Sequence, residues 1–290
     1  MINILNETYL NRRKVLLIFP IFLIAIIAIG MISVVSAKDI TIGPKTSGGL
    51  KKAIDKAENG DTILLKNGVY KGANNIGLII NKKITIEGKG NNVVIDAQRK
   101  NQTFNCYNKV TFKNLKIKNG YVKNGDGAAI ISYGDLTVSK CTFTNNQAGA
   151  GGAIMIGTLT QWSTPTTLVL SCTFTNNQAR EGGAIVLHGQ SSVKNCTFKN
   201  NWAIDNGGAI YSNGESTVNK CTFTTNKAKY GGAIYCFPFH NTTIKITNSN
   251  FNKNIAGKVY NAIHNQVDQQ NKVIKQNVLI TPKDGTKVKK

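Results

Sequence analysis

Four stretches of this chain restart on one phrase. Read from the cysteine they are C-T-F-T-N-N-Q-A-G-A-G-G-A-I (Cys141 to Ile154), C-T-F-T-N-N-Q-A-R-E-G-G-A-I (Cys172 to Ile185), C-T-F-K-N-N-W-A-I-D-N-G-G-A-I (Cys196 to Ile210) and C-T-F-T-T-N-K-A-K-Y-G-G-A-I (Cys221 to Ile234). Degenerate copies flank them around Leu115 to Ile130 and Ser249 to Ile263, and from Ile117 through the five phenylalanines the spacings are 26, 31, 24, 25 and 28 residues. A period of this size means stacked units, each unable to bury its own apolar face alone. Within a unit the alternation is that of strands: Leu-Thr-Val or its equivalent, then C-x-F, then the residues after G-G-A-I, separated by Asn- and Gly-rich bends. Helical repeats are excluded, because Thr, Asn and a double glycine in every unit leave no room for an amphipathic helix. The expected architecture is an all-β, right-handed parallel β-helix with three strands per coil, each residue about 4.8 Å above its counterpart in the preceding coil.

Stacking turns the aligned repeats into columns. Phe143, Phe174, Phe198, Phe223 and Phe251 continue Ile117 as an inner aromatic column, and Cys141, Cys172, Cys196 and Cys221 continue Leu115 as a second, since C-x-F puts both on one face. Asn146, Asn177, Asn201, Asn226 and Asn254 form a ladder at a bend, where amides can bond along the stack and the backbone can turn left-handed. In-register cysteines fall within the Cα separation a disulfide needs, but their Cβ vectors run side by side, which favours buried thiols over bridges. With no C-x-x-C pair and three scattered histidines, neither a zinc site nor any cofactor is implied.

The paired signatures F-x-x-N (from Phe143, Phe174, Phe198, Phe223 and Phe251) and G-G-A-I (from Gly151, Gly182, Gly207 and Gly231) resemble the repeat of polymorphic outer-membrane proteins. The composition as a whole resembles adhesin-like surface proteins of methanogenic archaea. Upstream, Leu50 to Ala57, Gly60 to Tyr70 and Ile84 to Gly88 resemble the opening of pectin-lyase-like β-helix proteins. Together these resemblances cover nearly everything from residue 40 to 265 and imply a right-handed parallel β-helix; for activity they imply little. The residues support the opening independently. Leu50, Ala53, Ile54 and Ala57 share one helical face, with Ser47 as the expected N-cap and Asn59-Gly60 as the stop, so a short helix over 47–58 should cap the first coil and shield its open edge.

The amino terminus points outside the cell. Arg12, Arg13 and Lys14 precede an uncharged run of 21 residues, Val15 to Val35, followed by Val35-Ser36-Ala37 as a small-residue cleavage pattern. Residues 1–37 are therefore read as a signal peptide or an uncleaved membrane anchor through 15–35, with everything from Lys38 exported. Residues 38–265 are the β-helix, with the recurring units over 110–265, and 266–290 are final strands and a basic tail.

Candidate chemistry is sparse. Asp126 and Glu181 fall in the same column two coils apart, about 10 Å, and Asp205 is one position off in the next coil, with Arg180 beside them. Glycoside hydrolysis wants two carboxylates roughly 5 to 9.5 Å apart across the bond, so these four residues are the site only if the chain is a pectin-lyase-like lyase or hydrolase. The repeat is broken to expose aromatics in two insertions, carrying Trp162 and Phe239-His240, and these are the expected binding residues. The whole chain has a net charge of +22, and removing residues 1–37 leaves 33 basic against 13 acidic side chains, or +20. Outside a cell that charge suits a surface glycan, an anionic wall polymer or another cell's surface; nucleic acid is not expected, given export and the lack of a binding motif. His264 extends an outward column of Ile131, Met155, Val186, Tyr211 and Tyr235, for which a surface role is expected. The function expected is a surface scaffold, adhesin-like, that binds without catalysis.

Overall fold

The computed structural model describes residues 36–158, 165–237, 242–257, 263–265, 272–276 and 279–280. The expected export segment, the tail beyond Ile280, and Trp162, Phe239 and His240 lie outside them. Among the described residues the strands form three parallel sheets of 17, 8 and 4 strands, here A, B and C, which wind as a β-solenoid of eight coils, one for each strand of sheet B.

One coil shows the pattern. Ser191–Lys194 and Thr197–Lys199 lie in sheet A, Trp202–Asn206 in sheet C and Ile210–Ser212 in sheet B. The three strands expected per coil are present, but two of them share sheet A, and the segment after the ladder asparagine adds a fourth in sheet C. The division of sheet A has a visible origin. The strand Ile84–Asp96 runs unbroken and pairs with both Val110–Lys113 and Lys116–Lys118. From that coil onward one left-handed residue splits it: Asn114, Lys140, Ser171, Asn195, Lys220 and Asn248 all have φ between 49° and 55°.

The columns stack in register. Phe143 pairs with Phe174, Phe174 with Phe198, Phe198 with Phe223 and Phe223 with Phe251. Their rings lie 4.6 to 4.9 Å apart and within 6° of parallel, fully buried. The four column cysteines are buried free thiols, and their place is chemical as well as steric. Each donates to the carbonyl two residues back, at the kink: Cys141 to Ser139 (3.2 Å), Cys172 to Leu170 (3.3 Å), Cys196 to Lys194 (3.1 Å) and Cys221 to Asn219 (3.3 Å). Ser249 makes the same bond to Thr247 at 2.8 Å, which explains why serine can replace cysteine in this column.

The ladder asparagines are also buried, and the left-handed backbone expected at them belongs instead to the residue before: Asn145, Asn176, Asn200, Thr225 and Lys253, with φ of 54° to 57°. That turn swings the next side chain inward. Each of the five ladder amides then donates to a backbone carbonyl of the Ile117–Phe223 column, at 2.9 to 3.3 Å, and those of Asn146 to Asn226 donate also to the next amide along the stack, at 2.9 to 3.0 Å. At the double glycine, Gly182 turns left-handed (φ 57°), whereas Gly183 has no room for a Cβ because the backbone of Gly208 lies against it. The Ile130, Ile154, Ile185, Ile210 and Ile234 column that follows is fully buried.

Two expectations are corrected. The helix spans Gly49–Lys56, and its N-cap is Gly48 in a left-handed conformation rather than Ser47. The capping comes from the neighbouring coil. Asn75 Oδ1 accepts the Leu50 N–H at 3.0 Å, and Lys82 Nζ donates to the last carbonyls, Asp55 at 2.8 Å and Ala57 at 2.6 Å, where a cation also suits the helix dipole. The second correction concerns the column on the outer face of sheet B. Its register is as expected, through Tyr235 opposite His264. Yet Ile131, Val186, Tyr211 and Tyr235 are at most 8% exposed, because Ala150 and Tyr230, from the chain approaching the double glycine, pack against this face with Met155 and Phe237.

Candidate functional site

The carboxylates singled out in the sequence lie where sheet C meets the double-glycine turn. Gly127 N–H bonds to the carbonyl of Ala150 and Gly151 N–H to that of Glu181, so Asp126, Ala150 and Glu181 occupy successive coils, as the alignment requires. Each acidic side chain is engaged by a neighbouring coil. Asp126 Oδ1 accepts the Ala150 N–H at 3.0 Å, Glu181 Oε1 accepts the Asn206 amide at 3.3 Å, and Asp205 Oδ2 takes a 2.8 Å bond from Arg180 Nε. The four residues are thus engaged individually, with the Glu181 charge also acting on Arg180. Arg180 and Asp205 form an exposed ion pair, which strengthens the guanidinium's hold on its proton. The charges of Asp126 and Glu181 act on groups of the neighbouring sheet B face. Burial, and then the Glu181 charge, push Tyr211 and Tyr235 up, while burial lowers His188 against an Asn213 hydrogen bond and the Asp126 charge. As placed, these carboxylates tie coils together; among the described residues no group of three or more His, Cys, Asp or Glu side chains could hold a metal ion.

A different corner, where sheet B hands the chain to sheet A, carries a groove bordered by residues that follow both insertions in the sequence. One insertion ends at Thr166 and Thr167, which begin the strand Thr167–Leu170; the other ends at Thr242 and Thr243, which begin Thr243–Thr247. Between these coils lie two whose turns are short, His188-Gly189-Gln190 and Asn213-Gly214-Glu215. A groove of about 540 Å³ runs across these four coils, lined between the flanking threonines by Gln190, Ser191, Ser192, Glu215, Ser216 and Thr217, with Lys245 also at its edge. Ser192 and Thr217 hydrogen-bond across adjacent coils at 3.0 Å. Thr167 borders the groove, but its Oγ1 is buried and has no hydrogen-bond partner among the described residues. Hydroxyls, an amide, one carboxylate and one ammonium in a shallow channel suit a polyhydroxylated ligand. The column alignment contains this groove only implicitly, since its members come from a corner at which coil length varies.

Sequence reasoning missed Trp202. In the alignment it stands where other coils carry Gln147, Gln178, Lys227 and Ile255 after the ladder asparagine, and the large aromatic among them was the available signal. The register pairs it with Gln178 on one side and Lys227 on the other. It is 40% exposed on the outer face of sheet C.

Segments 140–157, 171–187, 195–213 and 220–236 match the family model of the Chlamydia polymorphic membrane protein repeat, so the chain carries this repeat within a β-solenoid. No curated protein matches the chain. Among solved structures, Escherichia coli ybhc is similar over 87% of this chain and 87% of its own, at 14% identity and a TM-score of 0.52. The pectin methylesterase from Aspergillus niger is similar over 85% of this chain and 87% of its own, at 15% identity and a TM-score of 0.47. The PL6 family alginate lyase AlyGC is similar over 85% of this chain, at 14% identity and a TM-score of 0.49, and the chain spans 40% of that enzyme's length. At these identities the likeness is one of fold.

Proposed function

We propose that this repeat-bearing solenoid, wound right-handed as parallel crossovers favour, is an exported surface protein that binds glycan without turnover. The observation that carries the reading is the hydroxyl-lined groove between the two insertions. Binding sites are built where a regular scaffold is interrupted, and here the residues that follow each interruption line one channel. Trp162, Phe239 and His240 belong to those insertions; an indole there would supply the apolar face on which a sugar ring stacks. The partners in this reading are a surface glycan or anionic wall polymer, borne on another cell or on the wall, with membrane attachment through residues 15–35 if the leader is uncleaved.

Dispersed charge supports the same location. Lys140, Lys194, Lys199, Lys220 and Lys245 are all exposed, whereas Lys113 and Lys118 are partly offset by Glu87 and Asp96 at 3.5 and 3.3 Å. Long-range attraction of an acidic polymer to such a surface is screened beyond roughly 8 Å at physiological ionic strength.

Affinity electrophoresis in gels carrying neutral or acidic polysaccharides tests the proposal. The wild-type chain should be retarded, and the double variant Ser192→Leu/Thr217→Leu, or Trp162→Ala, should lose about tenfold in affinity, about 1.4 kcal/mol. Unaltered retardation in both would remove the groove from the mechanism. Release of reducing or unsaturated ends that ceases with Glu181→Gln or Asp126→Asn would replace binding by catalysis. Recovery of the chain from the cytosol with Met1 in place would refute export.

A further inference from the structure

Sheet C presents a strip of unlike side chains on successive coils. Gln147, Gln178, Trp202, Lys227 and Ile255 are register partners in turn, each about 4.8 Å from the last, and the alanine that follows Gln147, Gln178, Trp202 and Lys227 points inward. Trp202 is 40% exposed, with Ile204 two residues on at 54% and Ile255, two coils along, at 55%. Trp202 and Ile255 leave exposed apolar area in a column whose other members are Gln147, Gln178 and Lys227, and exposed apolar area of this kind marks a contact surface.

The neighbours narrow the contact. Lys227 and Lys229 are exposed and form no ion pair among the described residues, whereas the nearby Arg180 is held by Asp205. The side-chain amide of Gln178 likewise makes no hydrogen bond among the described residues, while that of Gln147 is occupied by Arg99 at 2.7 Å. A free amide, an indole and a free ammonium thus follow one another over about 10 Å of flat sheet. That is the length of roughly two sugar rings. A protein partner would need some 800 Å² on each side, far more than one tryptophan and two isoleucines offer.

We infer that the outer face of sheet C is a second carbohydrate site, separate from the groove, at which Trp202 stacks on a pyranose ring of an anionic polysaccharide while Lys227 pairs with its acidic group and Gln178 bonds a hydroxyl. The stacking component is apolar and survives salt; the ammonium component selects the charged polymer and does not.

The experiment uses the exported chain with Trp162→Phe, so that Trp202 is its sole indole, and follows emission on adding polygalacturonate or the same polymer fully methyl-esterified. The acid polymer should shift Trp202 emission and bind about tenfold tighter than the ester at low salt. By affinity electrophoresis, Trp202→Ala should weaken binding of both polymers about tenfold, with Trp202→Phe restoring part of it. Lys227→Ala/Lys229→Ala should abolish the preference for the acid form. The groove variant Ser192→Leu/Thr217→Leu should leave the emission response unchanged, so failure of the groove reading and failure of this one give different results. Undiminished binding in Trp202→Ala with an intact β-type circular dichroism spectrum would overturn the inference. So would a preserved acid preference without the two lysines, a lost emission response in the groove variant, or an equal response to polyglutamate, which would make the partner an acidic peptide.

Discussion

Asn201 Oδ1 accepts two hydrogen bonds from Asn177, one from its backbone N–H and one from its side-chain amide, both at 3.0 Å. Asn201 in turn donates from Nδ2 to the Phe174 carbonyl at 3.0 Å and to Asn226 Oδ1 at 2.9 Å. Both donors and both lone pairs of a buried amide are therefore used, and so is each equivalent amide from Asn177 to Asn226. Asn201→Leu strands two donors on one side and an acceptor on the other, at about 1 to 3 kcal/mol for each buried group left unpaired. The expected loss is at least about 3 kcal/mol by urea unfolding, on the same per-group cost. A loss below about 1 kcal/mol would mean that water reaches the ladder.

Phe198 is the middle ring of the stack, 4.9 Å from Phe174 and 4.8 Å from Phe223. Replacing it by Ala opens a cavity that neighbours fixed by their own ladders cannot fill, so destabilisation should be about 3 to 5 kcal/mol. Because stacked coils couple mainly to their neighbours, hydrogen exchange should quicken most in the coils carrying Phe174 and Phe223. Uniform exchange across all coils would contradict that.

Asp61 gives the first coil a pH dependence. Its buried carboxylate accepts the N–H groups of Glu58 at 2.8 Å and Lys38 at 2.9 Å, and these bonds hold its pKa below the usual carboxylate range. A depressed pKa contributes stability that is whole above the unfolded value and is lost as pH falls through the folded one. Wild-type protein should lose stability between about pH 5 and pH 2. Asp61→Asn should be less stable at neutral pH and show a shallower acid slope; parallel slopes in the two proteins would show that Asp61 is not the group responsible.

All six cysteines are buried thiols. Burial pushes Cys106 up, and Cys236 up to about 11, which leaves little thiolate for reaction at neutral pH. Ellman's reagent should label the folded chain slowly and the guanidinium-unfolded chain at six sites. Rapid labelling of the native protein would place at least one thiol at the surface.

In-register stacking makes an alignment of repeats equivalent to a contact map along the axis, and for that reason the Phe, Cys, Asn and Ile columns were legible without coordinates. The same rule put Asp126 and Glu181 two coils apart. Contacts around a coil are a different matter, since they depend on how sharply each bend turns, and no column records that. Sheet C, the helix caps supplied by Asn75 and Lys82, and the burial of Tyr211 and Tyr235 beneath Ala150 and Tyr230 all arise from those bends. So does the meeting of Thr166 and Thr243, each just beyond an insertion in the sequence, in one groove. Sequence by itself determined what lies above and below each residue, because identical coils repeat the same atoms at a constant rise; only the tertiary structure decided what lies beside it, because the angle between sheets is set by left-handed turns whose direction no repeat spacing encodes.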